Sequence, residues 1–168
     1  MPPEQVGSND SLTETASKAI DAAREELVGI ALDIHAHPEL NYEEFHAAKL
    51  LSDTLEAHNF AVERGVGGVE TAFRATLEGG GGDGPTVAVL AEYDALPEIG
   101  HGCGHNLIAM AAMGAGFGVQ ANLANVPGRL VVIGTPAEEG GGGKIRLLDA
   151  GVFKDVDVCL SSHPSSNR

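Results

Sequence analysis

The sequence predicts a single α/β domain, and three observations support this prediction. The 168 residues are 43% hydrophobic, which supplies enough apolar side chains for one ordinary core. From Thr86 onward, short apolar runs typical of buried strands alternate with segments of helical spacing, which is the pattern of α/β proteins. Acidic residues and a histidine follow directly after these runs, and ligand sites in α/β sheets gather at the carboxyl ends of the strands.

The first third of the chain predicts two helices. Residues 1–10 are expected to form a disordered tail, and residues 11–14, with the sequence SLTE, fit a helix capping box. Apolar residues recur at helical spacing over positions 20–34, and this helix should end before Pro38 because proline disfavours helical geometry in the residue before it. A second amphipathic helix is predicted at about residues 43–58.

The remainder of the chain predicts strands that alternate with helices. Alternating polarity predicts a strand with one solvated face, whereas continuous β-branched and apolar runs predict strands buried on both faces. The predicted elements are a half-exposed strand at 71–77, a glycine-rich loop at 79–85, buried strands at 86–91 and 129–134, helices at 106–122 and 145–150, and a last strand at 156–162.

Composition excludes several classes of partner. The chain has 10 Lys and Arg residues against 24 Asp and Glu residues, a formal net charge of −14. Such a surface repels phosphate groups, so we expect neither nucleic acid nor membranes as partners. No apolar run approaches membrane-spanning length, and the first residues do not resemble a signal peptide. Two cysteines make no disulfide framework, so we expect a cytoplasmic location. We expect Cys159 to be a small buried residue of the core.

The most chemically informative segment is residues 99–106, with the sequence IGHGCGHN. Cys103 and His105 lie two residues apart in a glycine-rich turn, so both side chains can point at one ion, and both are ligands that zinc accepts. Alternatively they are a nucleophile and its base, although this spacing makes direct activation awkward. His101 either supports such a site or is a solvated turn residue.

A pair of adjacent acids, Glu138 and Glu139, follows the predicted strand at 129–134. Adjacent carboxylates project in different directions, so one can bind an ion while the other accepts a proton from an attacking water. The alternative interpretation is a pair of exposed loop acids. On the first interpretation, one of the two acids is a metal ligand and the other carries the proton.

Three further candidates also follow predicted strands. Glu92 and Asp94 come directly after residues 86–91, and His163 ends the last strand. The carboxyl ends of parallel strands meet at one edge of a sheet, so these side chains should converge with the glutamate pair.

Other motifs predict less. Residues 100–105 carry a histidine where a dinucleotide fingerprint needs its third glycine, and residues 143–145 carry Ile where a phosphate loop needs Ser or Thr, which argues against nucleotide binding. His35 and His37 could bind metal at their spacing of two, but we expect them to cap the first helix or to shape the loop that follows.

Four motifs occur in the order found in a known metallopeptidase family. They are DIHAHPEL at 33–40, YDALP at 93–97, GCGHN at 102–106 and TPAEEGG at 135–141. On these motifs, the chain from about residue 13 onward resembles the aminoacylase/carboxypeptidase-G type metallopeptidases. It is most similar to the amidohydrolase branch that includes hippurate hydrolase, auxin-conjugate hydrolases and p-aminobenzoyl-glutamate hydrolase.

The resemblance implies a fold and an activity. The implied fold is a three-layer, zinc-peptidase-like catalytic domain with a mostly parallel or mixed sheet. The implied cofactors are two divalent metal ions, zinc or manganese. The implied reaction is hydrolysis of an amide bond in a small-molecule substrate, such as an N-acyl amino acid, a dipeptide or a p-aminobenzoyl-glutamate-like compound.

The resemblance also implies a role for each motif residue. Glu138 corresponds to the general base that activates the attacking water, and Asp94 to an aspartate that supports the site. Glu92 stands where wider relatives have a histidine ligand, and we assign it no role. Cys103 stands where those relatives place a bridging aspartate. The implied metal ligands are Cys103, His105, Glu139 and His163.

Members of the family continue into a lid domain that serves dimerisation and substrate binding, and then return to the catalytic domain. We therefore expect residues 11–168 to form the N-terminal segment of that domain, with a sheet that is incomplete at its C-terminus. Such a segment should bind metal weakly and turn over slowly or not at all, whereas the full-length form should be a homodimer through the lid. The alternative is a non-catalytic remnant that binds metal or a partner through its exposed sheet edge.

Overall fold

Five strands form one mixed sheet in the computed structural model, which describes residues 9–165. The strands lie in the order β1-β2-β4-β3-β5. β1 pairs antiparallel with β2, and β2 pairs antiparallel with β4, whereas β4, β3 and β5 run parallel to one another. Their bounds are β1 (Ala61–Arg64), β2 (Phe73–Glu78), β3 (Thr86–Ala91), β4 (Arg129–Gly134) and β5 (Val158–Leu160).

Five α-helices accompany this sheet in the described part of the chain. The long helix predicted from one apolar stripe is two helices, because the chain leaves helical geometry at Ala23 (φ −89°, ψ 4°). The first of them begins before the predicted capping box, so Asn9 and Asp10 are helical and the expected tail boundary is wrong there. Residues 1–8 of that expected tail lie outside the described residues. The helices are α1 (Asn9–Ala22), α2 (Arg24–Ala36), α3 (Phe45–Ala57), α4 (His105–Gln120) and α5 (Gly143–Asp149).

The sheet separates two apolar clusters, so the fold has three layers. Alternate residues of β4 point to opposite faces, as expected for a strand buried on both sides. Leu130 and Val132 join the larger cluster, which α2, α3 and α4 cover. Val131 and Ile133 join the smaller cluster, which includes Leu147 of α5. The α/β class and the three-layer, mixed-sheet architecture predicted from the sequence are confirmed.

The two outer strands are the ones that sequence patterning described least well. β1 was not predicted, because its four residues are exposed or half-exposed and carry no apolar run. β5 is shorter than the predicted strand at 156–162, and all three of its residues are exposed. The prediction of a buried Cys159 is therefore wrong: β5 has β3 as its one partner strand among the described residues, and Cys159 remains exposed.

The parallel strands position the residues of interest. Asp94 follows β3, the glutamate pair follows β4 and His163 follows β5, so all three segments leave the sheet at the same edge. α4 begins at His105 and packs against both β3 and β4. No helix in the described residues 9–165 is long and apolar enough to cross a membrane.

Candidate metal centre

His105 lies at the centre of the candidate site and is fully buried. It is the first residue of α4, and the helix begins there because Gly104 adopts a left-handed backbone conformation (φ 81°) at the N-cap. The ring Nδ1 lies 2.8 Å from the Asp94 carbonyl oxygen and 3.0 Å from Asp94 Oδ1. In the neutral ring, this pair of acceptors places the proton on Nδ1, which leaves the lone pair of Nε2 free for an ion. Among the residues that the structure describes, Nε2 has no hydrogen-bond partner despite its burial.

Two sets of metal-binding side chains include His105. Cys103 and Glu139 form one set with His105, and Glu92 and His163 form another, with the ligand atoms of each set within 4.8 Å of one another. Nε2 lies 3.5 Å from Glu92 Oε2 and 3.8 Å from Glu139 Oε1. A buried imidazole nitrogen without a partner, facing thiol and carboxylate donors, fits a zinc-type cation. We call these five residues the candidate metal centre.

Asp94 joins two of the segments that carry the donors. Its Oδ1 accepts from His105, and its Oδ2 accepts from the backbone N–H of Glu139 at 2.9 Å. Burial opposes the charge of this carboxylate, but these hydrogen bonds outweigh burial and hold the pKa of Asp94 below its usual value. Asp94 is therefore an anion that fixes both a ring and a backbone turn, the arrangement expected of an aspartate that supports metal ligands.

The cysteine and histidine donors both have raised pKa values, for different reasons. The Glu139 carboxylate, followed by burial, raises the pKa of the Cys103 thiol to about 11. Burial lowers the pKa of His105, but Asp94 and Glu92 raise it by more, so the net pKa is raised. A thiol held protonated at neutral pH is a poor nucleophile, which argues against the cysteine-hydrolase alternative. It remains a good ligand, because a bound cation displaces the proton.

The two adjacent glutamates differ in exposure and in their position relative to the donor sets. Glu139 is 28% exposed and contributes a donor to the centre. Glu138 is exposed and lies outside both donor sets. Ala137, just before the pair, adopts a left-handed conformation (φ 56°), which turns the chain sharply after β4.

The buried carboxylate of Glu44 fixes that turn, and sequence reasoning missed it. Its Oε1 accepts from the N–H of Ala137 at 2.8 Å, and its Oε2 accepts from Thr71 Oγ1 at 2.9 Å. Burial raises the pKa of Glu44 despite these hydrogen bonds. The pairs are 93 and 27 residues apart in the sequence, so no local pattern could have indicated them.

Two neighbours of Glu44 hold the same loop. Asn41 Nδ2 donates to the carbonyl oxygen of Glu139 at 2.6 Å, and the Tyr42 hydroxyl donates to that of Gly141 at 2.5 Å. The segment between α2 and α3 thus makes hydrogen bonds along the loop that carries the glutamate pair.

Lys144 is a second residue whose part in the site sequence reasoning missed. Its Nζ lies 2.7 Å from Oε1 of the buried Glu92, while Oε2 of that carboxylate has no hydrogen-bond partner in the described part of the chain. In the sequence, Lys144 lies within residues 143–145, which do not match a phosphate loop. In the structure it compensates a buried negative charge beside His105.

The remaining histidines of the sequence motifs lie outside the two donor sets. His101 is half-buried with its ring centroid 6.3 Å from that of His35. Burial is the main cause of its lowered pKa. His37 is the C-cap residue of α2, and its Nδ1 lies 2.9 Å from the Asp33 carbonyl oxygen, in agreement with the expectation that it caps the helix.

Comparison with known proteins identifies relatives over most of the chain. Residues 88–168 match the family model described as Peptidase family M20/M25/M40. The chain is 42% identical over 169 residues to the Xaa-Arg dipeptidase of Homo sapiens, a match that covers 91% of this chain and 38% of the relative. It is 40% identical over 167 residues to one of the polypeptides of the p-aminobenzoyl-glutamate hydrolase of Escherichia coli (strain K12), covering 88% of this chain and 34% of that protein.

A solved structure agrees with these matches. The fold is similar to that of a dinuclear metal-binding peptidase of the M20 family from Bacillus subtilis, with a TM-score of 0.75 and 27% identity. That match covers 83% of this chain and 42% of the other. The chain thus spans between 34% and 42% of the length of these three relatives. The ordered motifs, the family model and the shared fold together show that the chain belongs to peptidase family M20/M25/M40.

Proposed function

We propose that this chain carries the metal centre of a hydrolase that cleaves an amide bond next to an amino acid carboxylate. One observation carries the proposal: among the described residues the buried Nε2 of His105 has no hydrogen-bond partner, and it lies 3.5 Å from Glu92 Oε2 and 3.8 Å from Glu139 Oε1. An unpaired polar atom inside a protein is costly, so such an arrangement persists where a ligand completes it.

Cys103, His105, Glu139 and His163 would hold two divalent ions, zinc or manganese. Glu92 offers a further oxygen donor within the set that includes His163. When bound, such an ion lowers the pKa of water to about 7 and stabilises negative charge on an attacked carbonyl oxygen. The family resemblance and the dinuclear relative support the number of ions.

Glu138 is the proton carrier in this proposal. It is exposed and free of the donor sets, yet it is adjacent to the donor Glu139. It can therefore accept the proton of an attacking water and return it to the departing amine. The backbone on either side of it is fixed, because Glu44 holds the N–H of Ala137 and Asp94 holds that of Glu139.

The names of the relatives support the class of substrate. One acts on Xaa-Arg dipeptides and another on p-aminobenzoyl-glutamate, and both compounds carry an amide bond to an amino acid that bears a free carboxylate. We therefore propose small N-acyl amino acids and dipeptides as the substrates. The acidic surface, with a net charge of −14, disfavours nucleic acid as an alternative.

Replacement of Glu138 tests this function. In the zinc-loaded or manganese-loaded chain, Glu138→Gln removes the proton acceptor and keeps the shape of the side chain. We expect hydrolysis of an Xaa-Arg dipeptide or of p-aminobenzoyl-glutamate to fall by about 10²–10⁴-fold. Bound metal, measured by elemental analysis, should stay at the wild-type level.

The matched control is Glu63→Gln, which changes an exposed acid of β1 far from the loop in sequence. This variant should keep wild-type hydrolysis. Hydrolysis by Glu138→Gln within threefold of the wild-type rate would contradict the assigned role.

A second candidate function is binding of metal or of a partner chain without catalysis. The observation that favours it is the exposed edge strand β5, where Val158 and Leu160 are 46% and 54% exposed beside the site. Unpaired edge strands associate readily with other chains. Stoichiometric metal binding with a hydrolysis rate that Glu138→Gln leaves unchanged would support this function over the first.

A further inference from the structure

A second cluster of metal-binding side chains lies outside the candidate metal centre, where α2 ends and α3 begins. Asp33 and His37 are one helical turn apart at the end of α2, and His46 lies in the first turn of α3. One ligand atom from each residue lies within 4.8 Å of the other two. We call these three residues the outer cluster.

The two imidazoles of the outer cluster converge on one carboxylate oxygen. Asp33 Oδ1 lies 2.5 Å from His46 Nε2 and 3.0 Å from His37 Nδ1, and the two ring centroids are 4.5 Å apart. Ligands of a tetrahedral zinc ion, at bond lengths near 2.0–2.1 Å, lie roughly 3.3 Å from one another. The carboxylate oxygen therefore needs to move from the two nitrogens by less than an ångström to admit an ion.

The backbone around the outer cluster is already fixed. The Glu39 carboxylate accepts from the N–H groups of His46 at 2.8 Å and Ala47 at 3.0 Å, which ties down the start of α3. The backbone N–H of His37 donates to the carbonyl oxygens of Asp33 at 3.1 Å and Ile34 at 3.2 Å, which fixes the end of α2, and a bound ion replaces the proton on His37 Nδ1. Donors on two fixed helix ends lose little conformational freedom when an ion binds.

Ion pairing alone is a weak reason for this arrangement. The side chains of Asp33, His37 and His46 are 40%, 58% and 43% exposed, and exposed ion pairs contribute little to stability. One carboxylate also serves two imidazoles, which repel each other when both are protonated. Two neutral imidazoles and one carboxylate are instead a donor set for borderline divalent cations, with the solvent side open to water ligands.

We propose that Asp33, His37 and His46 form a second, surface binding site for a borderline divalent cation such as zinc. The site joins the end of α2 to the start of α3 across residues 38–45. That segment includes Asn41 and Glu44, which hold the loop of the candidate metal centre. Occupation of the outer cluster therefore restrains the segment that orients this loop.

Zinc counting by equilibrium dialysis of the tag-free 168-residue chain, followed by elemental analysis, tests the proposal. The double variant His37→Gln/His46→Gln should bind one zinc per chain fewer than the wild type. The matched control His58→Gln removes a histidine that pairs with Glu26 at 3.0 Å outside both clusters, and it should keep the wild-type count. A wild-type count in the double variant would overturn the proposal, and so would an equal loss in the control.

A measurement on the wild-type chain keeps the test independent of how the double variant folds. In a zinc titration followed by NMR of the histidine rings, the signals of His37 and His46 should shift together as the outer cluster fills. The same shifts should occur in Cys103→Ser/His105→Gln, which lacks two donors of the candidate metal centre. Ring signals of His37 and His46 that stay unchanged at saturating zinc would overturn the proposal.

Discussion

At the scale of single residues, the two ring nitrogens of His105 determine how the candidate metal centre is arranged. Asp94 occupies one ring nitrogen, so the other presents its lone pair to the remaining donors. The sequence predicted Cys103 and His105 as partners from their spacing in a glycine-rich turn, because that inference is local. It could not predict the Lys144 contact to Glu92 or the Glu44 contact to Ala137, which depend on distant segments meeting in the fold.

The protonated Cys103 thiol leads to a pH prediction. Glu139 and burial raise the pKa of this thiol to about 11, so zinc must displace a proton at any pH below that value. The apparent zinc affinity of the centre should therefore rise with pH between roughly 6.5 and 8.5, with about a tenfold contribution per pH unit from this one proton.

Competition with a chromophoric chelator at several pH values measures this dependence. Cys103→Ser should flatten the slope of log affinity against pH by one, and Cys159→Ser should leave it unchanged. An equal slope in Cys103→Ser and the wild type would show that the thiol is not the group displaced.

At the scale of elements, apolar patterning predicted the buried strands best. β3 and β4 have the predicted bounds, because continuous β-branched runs at 86–91 and 129–134 fit a strand buried on both faces. The break at Ala23 was not predicted, because alanine favours helix and the apolar stripe continues through it. The break arises from packing, since α1 and α2 both pack against α4. β1 escaped prediction because an exposed edge strand needs no apolar pattern.

The hydrogen bond between Glu44, just before α3, and Ala137, in the loop after β4, leads to a stability prediction. Glu44→Ala leaves the N–H of Ala137 and the hydroxyl of Thr71 without their acceptor and opens a cavity at a fully buried position. The free energy of unfolding should fall by about 2–4 kcal/mol in urea denaturation. Glu44→Gln should lose much less, because its carbonyl oxygen can accept from Ala137 while its amide donates to Thr71.

The matched control for this series is Glu43→Ala, the exposed neighbour of Glu44. Its free energy of unfolding should stay within about 0.5 kcal/mol of the wild type, as for most surface substitutions. A loss for Glu44→Ala no larger than that for Glu43→Ala would contradict the structural role of the buried carboxylate.

At the scale of the whole molecule, donor residues follow the carboxyl ends of three parallel strands, and the first residue of α4 is His105. This convergence was predictable, since α/β sheets gather ligands at the carboxyl ends of their strands. The presence of His105 in two donor sets was not predictable, because it depends on distances of a few ångströms. The outer cluster was not predictable for a related reason: His46 approaches Asp33 only once α2 and α3 fold back on each other.

The central claim is that Cys103 binds metal together with His105, and X-ray absorption of the zinc-loaded chain tests it most directly. The chain has only two cysteines, and the outer cluster offers nitrogen and oxygen alone, so a thiolate sulfur near zinc comes from one of two known positions. We predict a sulfur neighbour at about 2.3 Å that is present in the wild type and in Cys159→Ser and is lost in Cys103→Ser. A zinc spectrum without sulfur in the wild type, or a sulfur neighbour that persists in Cys103→Ser, would contradict the account.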